Sequence, residues 1–161
     1  MKTILLNNLV KCFSIEDIEK HLVYSYIKSN SLKIGTDDFI SQYLDGFSPL
    51  PKLINEVTKI GITSIDEISI AMELLIPAKD KKVNGAFFTP AYIADFILTT
   101  IRPEINAKII DPSCGSGAFL IAIAKYYKNT FGKSISDCIC ENIYGSDILH
   151  YNIERCKLLL S

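Results

Sequence analysis

The chain has 161 residues, of which 48% are hydrophobic and 22% charged, with a formal net charge of −1. That length fits one ordinary domain, or a helical module joined to part of another, and the apolar content excludes a disordered chain. The near-neutral charge sets up no global basic field for nucleic acid, no apolar run approaches membrane-spanning length, and the start Met1-Lys2-Thr3-Ile4-Leu5-Leu6 is too short for a secretory leader. A cytoplasmic protein is expected.

The first half reads as helical. Ser14-Ile15-Glu16-Asp17 matches a capping box, and Ile15, Ile18, Leu22 and Ile27 follow at near-helical spacing. His21, among Glu19, Lys20 and Tyr24, is expected at the surface. Thr36-Asp37-Asp38 opens a second helix through Phe39, Ile40, Tyr43 and Leu44, ending at Gly46. Ser48-Pro49 reads as a cap and first-turn proline, with Leu53, Ile54 and Val57 behind it and Gly61 as the stop. Ser64-Ile65-Asp66-Glu67 is another capping box and leads into Ile68, Ala71, Met72, Leu74 and Leu75 before Pro77. These helices form a module over residues 1–78, with the apolar stripes as its core. Lys79-Asp80-Lys81-Lys82-Val83-Asn84 is charged and pattern-free, a linker opening the second part, residues 79–161.

Gly85-Ala86-Phe87-Phe88-Thr89-Pro90 comes next. Thr89 and Pro90 make an N-cap and N1 pair, and Tyr92, Ile93, Phe96, Ile97 and Ile101 give the helix behind them a broad apolar face. Capping alone does not account for a glycine and two aromatics directly before the cap. Such a turn gathers hydroxyl and N–H donors at a positive helix end, suited to a carboxylate. After Pro103, Lys108-Ile109-Ile110-Asp111 reads as a strand and Pro112-Ser113-Cys114-Gly115-Ser116-Gly117 as a tight turn. A strongly apolar helix over residues 116–128 follows. Asp111 therefore sits at the edge where open parallel sheets bind ligands. The glycines allow a ligand close to the backbone, and the helix start behind them presents free N–H groups. The next strand is expected at Glu141-Asn142-Ile143-Tyr144-Gly145-Ser146-Asp147, ending in a second acid with Ile148 behind it.

Three known loops fail against this turn. The dinucleotide pattern G-x-G-x-x-G meets Leu120 at its third glycine, Walker A lacks its lysine, and neither Ser113 nor Ser116 has the flanking glycines of a nucleophile elbow. Cys114 has only His150 as a nearby candidate base. The five cysteines, Cys12, Cys114, Cys138, Cys140 and Cys156, have no disulfide-framework spacing, and Cys138-x-Cys140 lacks a second pair. Reduced buried or strand thiols are expected, and no metal site. What survives is a ligand with an ammonium for Asp111, a ribose diol for Asp147 and a flat base for Ile148. Those three parts together describe S-adenosylmethionine.

The segments 85–90, 111–120 and 145–147 resemble, in order, the first three motifs of adenine-N6 DNA methyltransferases of restriction–modification systems. The similarity is to type I modification subunits and to type IIG enzymes. The resemblance implies an α/β fold: a helical N-terminal module, then the first part of a Rossmann-like sheet binding S-adenosylmethionine, with most of this chain helical. It implies that Phe87, Phe88, Thr89 and Pro90 meet the methionine end and that Asp111 takes the amino group. Pro112, Ser113, Cys114, Gly115 and Gly117 would form the backbone cradle, Asp147 hold the ribose and Ile148 pack on adenine.

The family's Asn/Asp-Pro-Pro-Tyr/Phe catalytic motif has no counterpart, since the chain contains no Pro-Pro dipeptide. No catalytic residue is therefore assigned. The expectation is an N-terminal piece of an enzyme, inactive alone and a weak binder of S-adenosylmethionine at best. DNA would be met through other segments, restriction–modification subunits would be partners, and copies could pair along an exposed sheet edge. Two alternatives stand beside it: a docking or regulatory subunit of a split methyltransferase, and part of a cytosine-N4 enzyme.

Overall fold

The computed structural model describes residues 2–36, 38–77, 79 and 89–161. Asp37, the greater part of the expected linker, and the turn residues Gly85, Phe87 and Phe88 lie outside them. The chain forms two compact units, Met1–Gly85 and Ala86–Leu160.

Among the described residues the first unit is all helix: α1 Lys2–Leu9, α2 Ile15–Ser29, α3 Phe39–Tyr43, α4 Pro51–Ile60 and α5 Ile65–Leu74. Leu6, Leu9, Ile18, Leu22, Leu53, Val57, Ile60, Ala71 and Leu75 form its core. The N-cap half of the capping-box readings at Ser14 and Ser64 holds: Ser14 Oγ accepts from Asp17 N–H at 3.0 Å and Ser64 Oγ from Glu67 N–H at 3.3 Å, while the Glu67 carboxylate turns to Thr63 N–H rather than Ser64 N–H. Gly61 ends α4 in the left-handed region at φ 64°, where a residue with a Cβ is strained.

Four expectations change. The apolar start is itself helical, as α1, and contributes Leu6 and Leu9 to the core. The second helix is a short one, Phe39–Tyr43. The start of α4 is Leu50 followed by Pro51 at N1, not Ser48-Pro49. His21 is buried, at 1% exposure, not on the surface. The last two share a cause. Leu50 N–H, ahead of the helix, donates to His21 Nε2 at 2.8 Å, which makes that nitrogen the acceptor. His21 Nδ1 then carries the proton and donates to Asp17 O at 2.6 Å, and the ring packs edge-on against Phe47 at 4.8 Å. The neutral imidazole thus joins α2 to the start of α4.

Lys2 joins α1 to the α4–α5 turn, its Nζ bonding Gly61 O and the Glu67 carboxylate. Glu67 also accepts from Thr63 N–H at 2.7 Å. The Lys2 bond, with help from Thr63, holds the Glu67 carboxyl down at about 2 from the usual 4.5.

The second unit contains α6 Ala91–Ile101, β1 Ile109–Asp111, α7 Ala118–Phe131, α8 Ile135–Glu141, β2 Ile143–Gly145 and α9 His150–Leu160. β1 and β2 are parallel neighbours in the register Ile109↔Ile143, Ile110↔Tyr144, Asp111↔Gly145. The strand–turn–helix reading holds. The second strand is shorter than expected, because Ser134 caps an unforeseen helix over the preceding residues, its Oγ accepting from Asp137 N–H at 3.0 Å. Cys138 and Cys140 therefore lie on α8, not on a strand, one buried and one exposed. Pro90, not Thr89, is the residue at the N-cap of α6. That helix turns Ala94 and Leu98 into the unit, while Tyr92, Phe96 and Ile101 of the expected apolar face are exposed.

The core gathers Leu98, Cys114, Leu120, Ile123, Ala124, Tyr127, Cys138, Ile143 and Cys156. One sheet face is inside it. On the other, Ile110 is 65% exposed, and Tyr144 beside it lies under the Lys108 ammonium at 5.9 Å from the ring centre. No helix among the described residues is long and apolar enough to cross a membrane.

Two outcomes check the first unit. His21→Leu keeps the volume but orphans Leu50 N–H, and should cost about 1–3 kcal/mol in a urea titration at pH 7. Glu67 has its carboxyl lowered by folding, so its stabilisation is full above pH 4.5 and is lost as pH falls toward 2. Glu67→Gln should abolish that part of the acid loss, with a change at pH 7 of about 1 kcal/mol or less because the ion pair is partly exposed.

Candidate functional site

Asp111 ends β1 opposite Gly145, and the pairing continues past both strands. Ser146 N–H donates to Asp111 O and Cys114 N–H to Ser146 O, each at 2.9 Å, so the turn after β1 is laced to the segment after β2. Asp111 Oδ1 accepts from Ser113 N–H at 3.0 Å, closing an Asx turn. Gly117 N–H donates to Cys114 O at 2.8 Å. The remaining link crosses the site: Gly115 N–H donates to Asp147 Oδ2 at 2.9 Å. The other oxygen, Asp147 Oδ1, accepts from Leu149 N–H at 2.8 Å and from Asn152 Nδ2 at 3.1 Å.

These bonds narrow one reading of the turn. The N–H groups of Ser113, Cys114, Gly115 and Gly117 all have partners within the protein, so these four are not free for a ligand; the open donors are those that begin the next helix, Ala118, Phe119 and Leu120, which have no acceptor among the described residues. Beside those donors the turn presents acceptors. Among the described residues Asp111 Oδ2 takes no hydrogen bond. Asp147 Oδ1 has both lone pairs engaged, and Oδ2 keeps one. Two half-buried carboxylates at adjacent strand ends, each with spare acceptor capacity, suit a cation and a hydroxyl and repel a phosphate.

The glycines answer to packing. Gly117 stands at φ 92°, and a Cβ on it would lie 2.9 Å from Cys156 Sγ of α9. A Cβ on Gly145 would lie 2.7 Å from Leu120 Cδ1 and 3.1 Å from Cys114 Sγ, so only glycine lets β2 approach the turn and α7 this closely. Cys114 itself is buried in the core. Its hydrogen bond with Cys156, together with burial, pushes the Cys156 thiol well up and keeps it protonated. Both cysteines fill space between turn and helix.

Further back, two buried side chains set the approach to β1. Tyr127 Oη lies 3.0 Å from both Glu104 O and Ala107 O, its one proton serving them. Burial pushes that phenol up, so it remains a donor. Asn142 Nδ2 donates to Ile105 O at 3.0 Å and Ala107 O at 2.8 Å, while Asn142 O accepts from Ile109 N–H at 2.8 Å. Residues 104–107, which have no ladder of their own, are thereby fastened to α7 and to the start of β2.

Of the residues singled out from sequence, Asp111, Gly115 and Asp147 are half-buried around the turn, Pro112 and Ser113 are exposed, and Cys114 and Gly117 are buried. Ile148, behind Asp147, is 84% exposed. Thr89 and Pro90 are half-buried at the start of α6. Asn152, Cys156, Tyr127 and Asn142 were not foreseen. For Asn152 the one signal was a polar residue on the buried stripe of Cys156 and Leu159.

The N-6 DNA Methylase family matches residues 64–160, more than half of the chain. The chain belongs to that family. Over 109 residues it is 28% identical to the methylase subunit of the type I restriction enzyme EcoEI of Escherichia coli, covering 64% of this chain and 22% of that protein. The MjaVII methylase subunit of Methanocaldococcus jannaschii is 27% identical over 108 residues, 63% of this chain and 18% of that one. The type II methyltransferase M.CvrRI of Paramecium bursaria Chlorella virus XZ-6E is 29% identical over 65 residues, 40% and 17% of the two chains. The chain spans about a fifth of the length of these curated relatives. No solved structure matches it.

Gly117→Ala combines a left-handed backbone with a clash against Cys156, and should destabilise the second unit by about 2–4 kcal/mol by denaturant titration.

Proposed function

We propose that the second unit is the amino-acid and ribose side of an S-adenosylmethionine site in a Rossmann-like fold. On this reading the chain is part of an adenine-N6 DNA methyltransferase of a restriction–modification system. One observation carries it: Asp111 at the end of β1 and Asp147 just after β2 are joined through the turn, which engages the N–H groups of Ser113 and Gly115 on these acids and leaves Asp111 Oδ2 and part of Asp147 Oδ2 open. The bound molecule would supply an electrophilic methyl on a sulfonium, next to an ammonium and a ribose that these acids match.

In this reading Asp111 Oδ2 accepts from the α-ammonium, a charge-assisted bond in a half-buried setting. Asp147 contributes through Oδ2. Because Oδ1 is saturated by Leu149 and Asn152, Oδ2 can take one ribose hydroxyl rather than grip both. Ile148 offers a bare apolar side chain for the adenine. Thr89 and Pro90 are assigned to the methionine end, with Phe87 and Phe88 beside them. Ser113 and Gly115 shape the pocket through the turn rather than by donating to the ligand.

The transfer step is assigned to no residue, because the chain has no Pro-Pro dipeptide. The catalytic motif, DNA contacts and any cover for Ile110 and Tyr144 belong, in this reading, to other segments or to a restriction–modification partner. Parallel strands are ordinarily covered on both faces, which favours that assignment over pairing between copies. The description of the matched family, N-6 DNA Methylase, favours adenine over cytosine N4 as the methyl acceptor.

The test is an amide NMR titration of the chain with S-adenosylmethionine, a method that detects weak binding. Shifts at residues 113–117 and at Asp147 and Ile148 are expected, with Asp111→Asn weakening the apparent affinity roughly tenfold or more, as for a lost charge-assisted hydrogen bond. Absence of any shift around the turn, or an unchanged affinity in Asp111→Asn, would sink the assignment.

A further inference from the structure

Asn152 lies on α9, outside every motif, and is 1% exposed. We infer that it is a positioning residue for the site: its amide holds the Asp147 carboxylate so that Oδ2 stays on Gly115 N–H and the turn keeps its shape. What the turn then holds rests on the cofactor reading above; the geometry of the turn does not.

A buried amide must find partners, since leaving one unpaired is costly. Asn152 Nδ2 finds Asp147 Oδ1 at 3.1 Å, and its own Oδ1 faces Arg155 Nη1 at a longer 3.5 Å. Arg155 is also buried, with its guanidinium over the Tyr151 ring at 4.7 Å. A polar series therefore runs from Arg155 through Asn152 and Asp147 to the Gly115 N–H.

Starting α9 does not require it. Leu149 N–H on Asp147 Oδ1 already closes the Asx turn that begins the helix. The second donor on the same oxygen does something else. The terminal torsion of an aspartate is broad and nearly two-fold, so a carboxylate fixed at one point can turn. With Oδ1 held from two directions by Leu149 and Asn152, the plane is fixed and Oδ2 is aimed at Gly115. The bond to Gly115 links segments 32 positions apart in the chain. It spans the turn and the end of β2, the two places that supply the carboxylates. An error in the tilt of Asp147 moves both acceptors at once.

Three variants of the 161-residue chain test this: Asn152→Leu, which keeps the volume and loses the donor; Asn152→Asp, which keeps the shape and sets an acceptor against Asp147; and the smaller Asn152→Ser. Hydrogen exchange at the Gly115 amide is read without ligand, and affinity for S-adenosylmethionine by NMR titration. In Asn152→Leu, Gly115 protection and affinity should each fall roughly tenfold, the effect of losing one hydrogen bond to a charged group. The Asp variant should lose more than the Leu variant, an order that packing alone would reverse. Amides of α6 and the middle of α7 should be unmoved. If Asn152→Leu does not fold, the Ser variant decides.

Unchanged Gly115 protection in the folded variants, or Asp tolerated as well as Asn, overturns the inference. So does wild-type binding that the variants match. If the wild-type chain shows no response to the cofactor while Gly115 protection still falls, the cofactor reading fails and the positioning of the turn by Asn152 stands.

Discussion

The bond from Gly115 N–H to Asp147 Oδ2 closes the second unit around its functional end. A two-stranded parallel sheet with three residues in each strand has little ladder to hold it. What keeps β1 and β2 in register at their ends is the lacing beyond them, through Ser146, Cys114 and this carboxylate. The lacing also dictates chemistry. Backbone donors engaged inside the protein are withdrawn from any ligand, and the half-buried carboxylates that engage those of Ser113 and Gly115 keep some acceptor capacity. Two carboxylates keep acceptor capacity at these strand ends because of how the turn is held, and the proposed cofactor reading draws on that capacity.

The same device recurs in both units. A buried polar side chain on or at the end of a helix satisfies backbone groups of a segment with no ladder of its own. His21 takes Leu50 N–H, Tyr127 and Asn142 take the carbonyls of residues 104–107, and Asn152 steadies the carboxylate that takes Gly115 N–H. Unpaired backbone groups inside a protein are expensive, so irregular segments can be placed only where such a partner reaches them. These side chains fix loops that apolar contacts alone would leave free to slide, and in the second unit those loops lead directly into the site.

Much of this was legible from local chemistry. Ser14, Ser64, Gly61 and the run from Ile109 to Leu120 announce their structures because capping, left-handed stops and a strand-to-helix turn are decided by a few neighbouring residues. The motif order in the second half likewise pointed to the family that the chain belongs to. The misreadings were of a different kind. His21 looked exposed because its neighbours in sequence are charged, although its position three residues after Ile18 puts it on the inner stripe. The glycines of the turn looked like clearance for a ligand, and at Gly117 they are clearance for a cysteine on a helix about 40 residues further on.

The sequence by itself determined the helix caps at Ser14 and Ser64, the helix stop at Gly61, that a strand runs into a glycine turn, and that an acid stands at or just beyond the end of each strand. Each of these depends on spacing and on the conformational preferences of single residues. Only the tertiary structure decided which N–H groups of the turn are already bonded, how much of each carboxylate is left for a ligand, and which distant side chains aim them. Those properties depend on donors and acceptors brought together from positions such as Gly115, Asp147 and Asn152. No local pattern encodes that meeting, because hydrogen-bond satisfaction belongs to the folded chain as a whole.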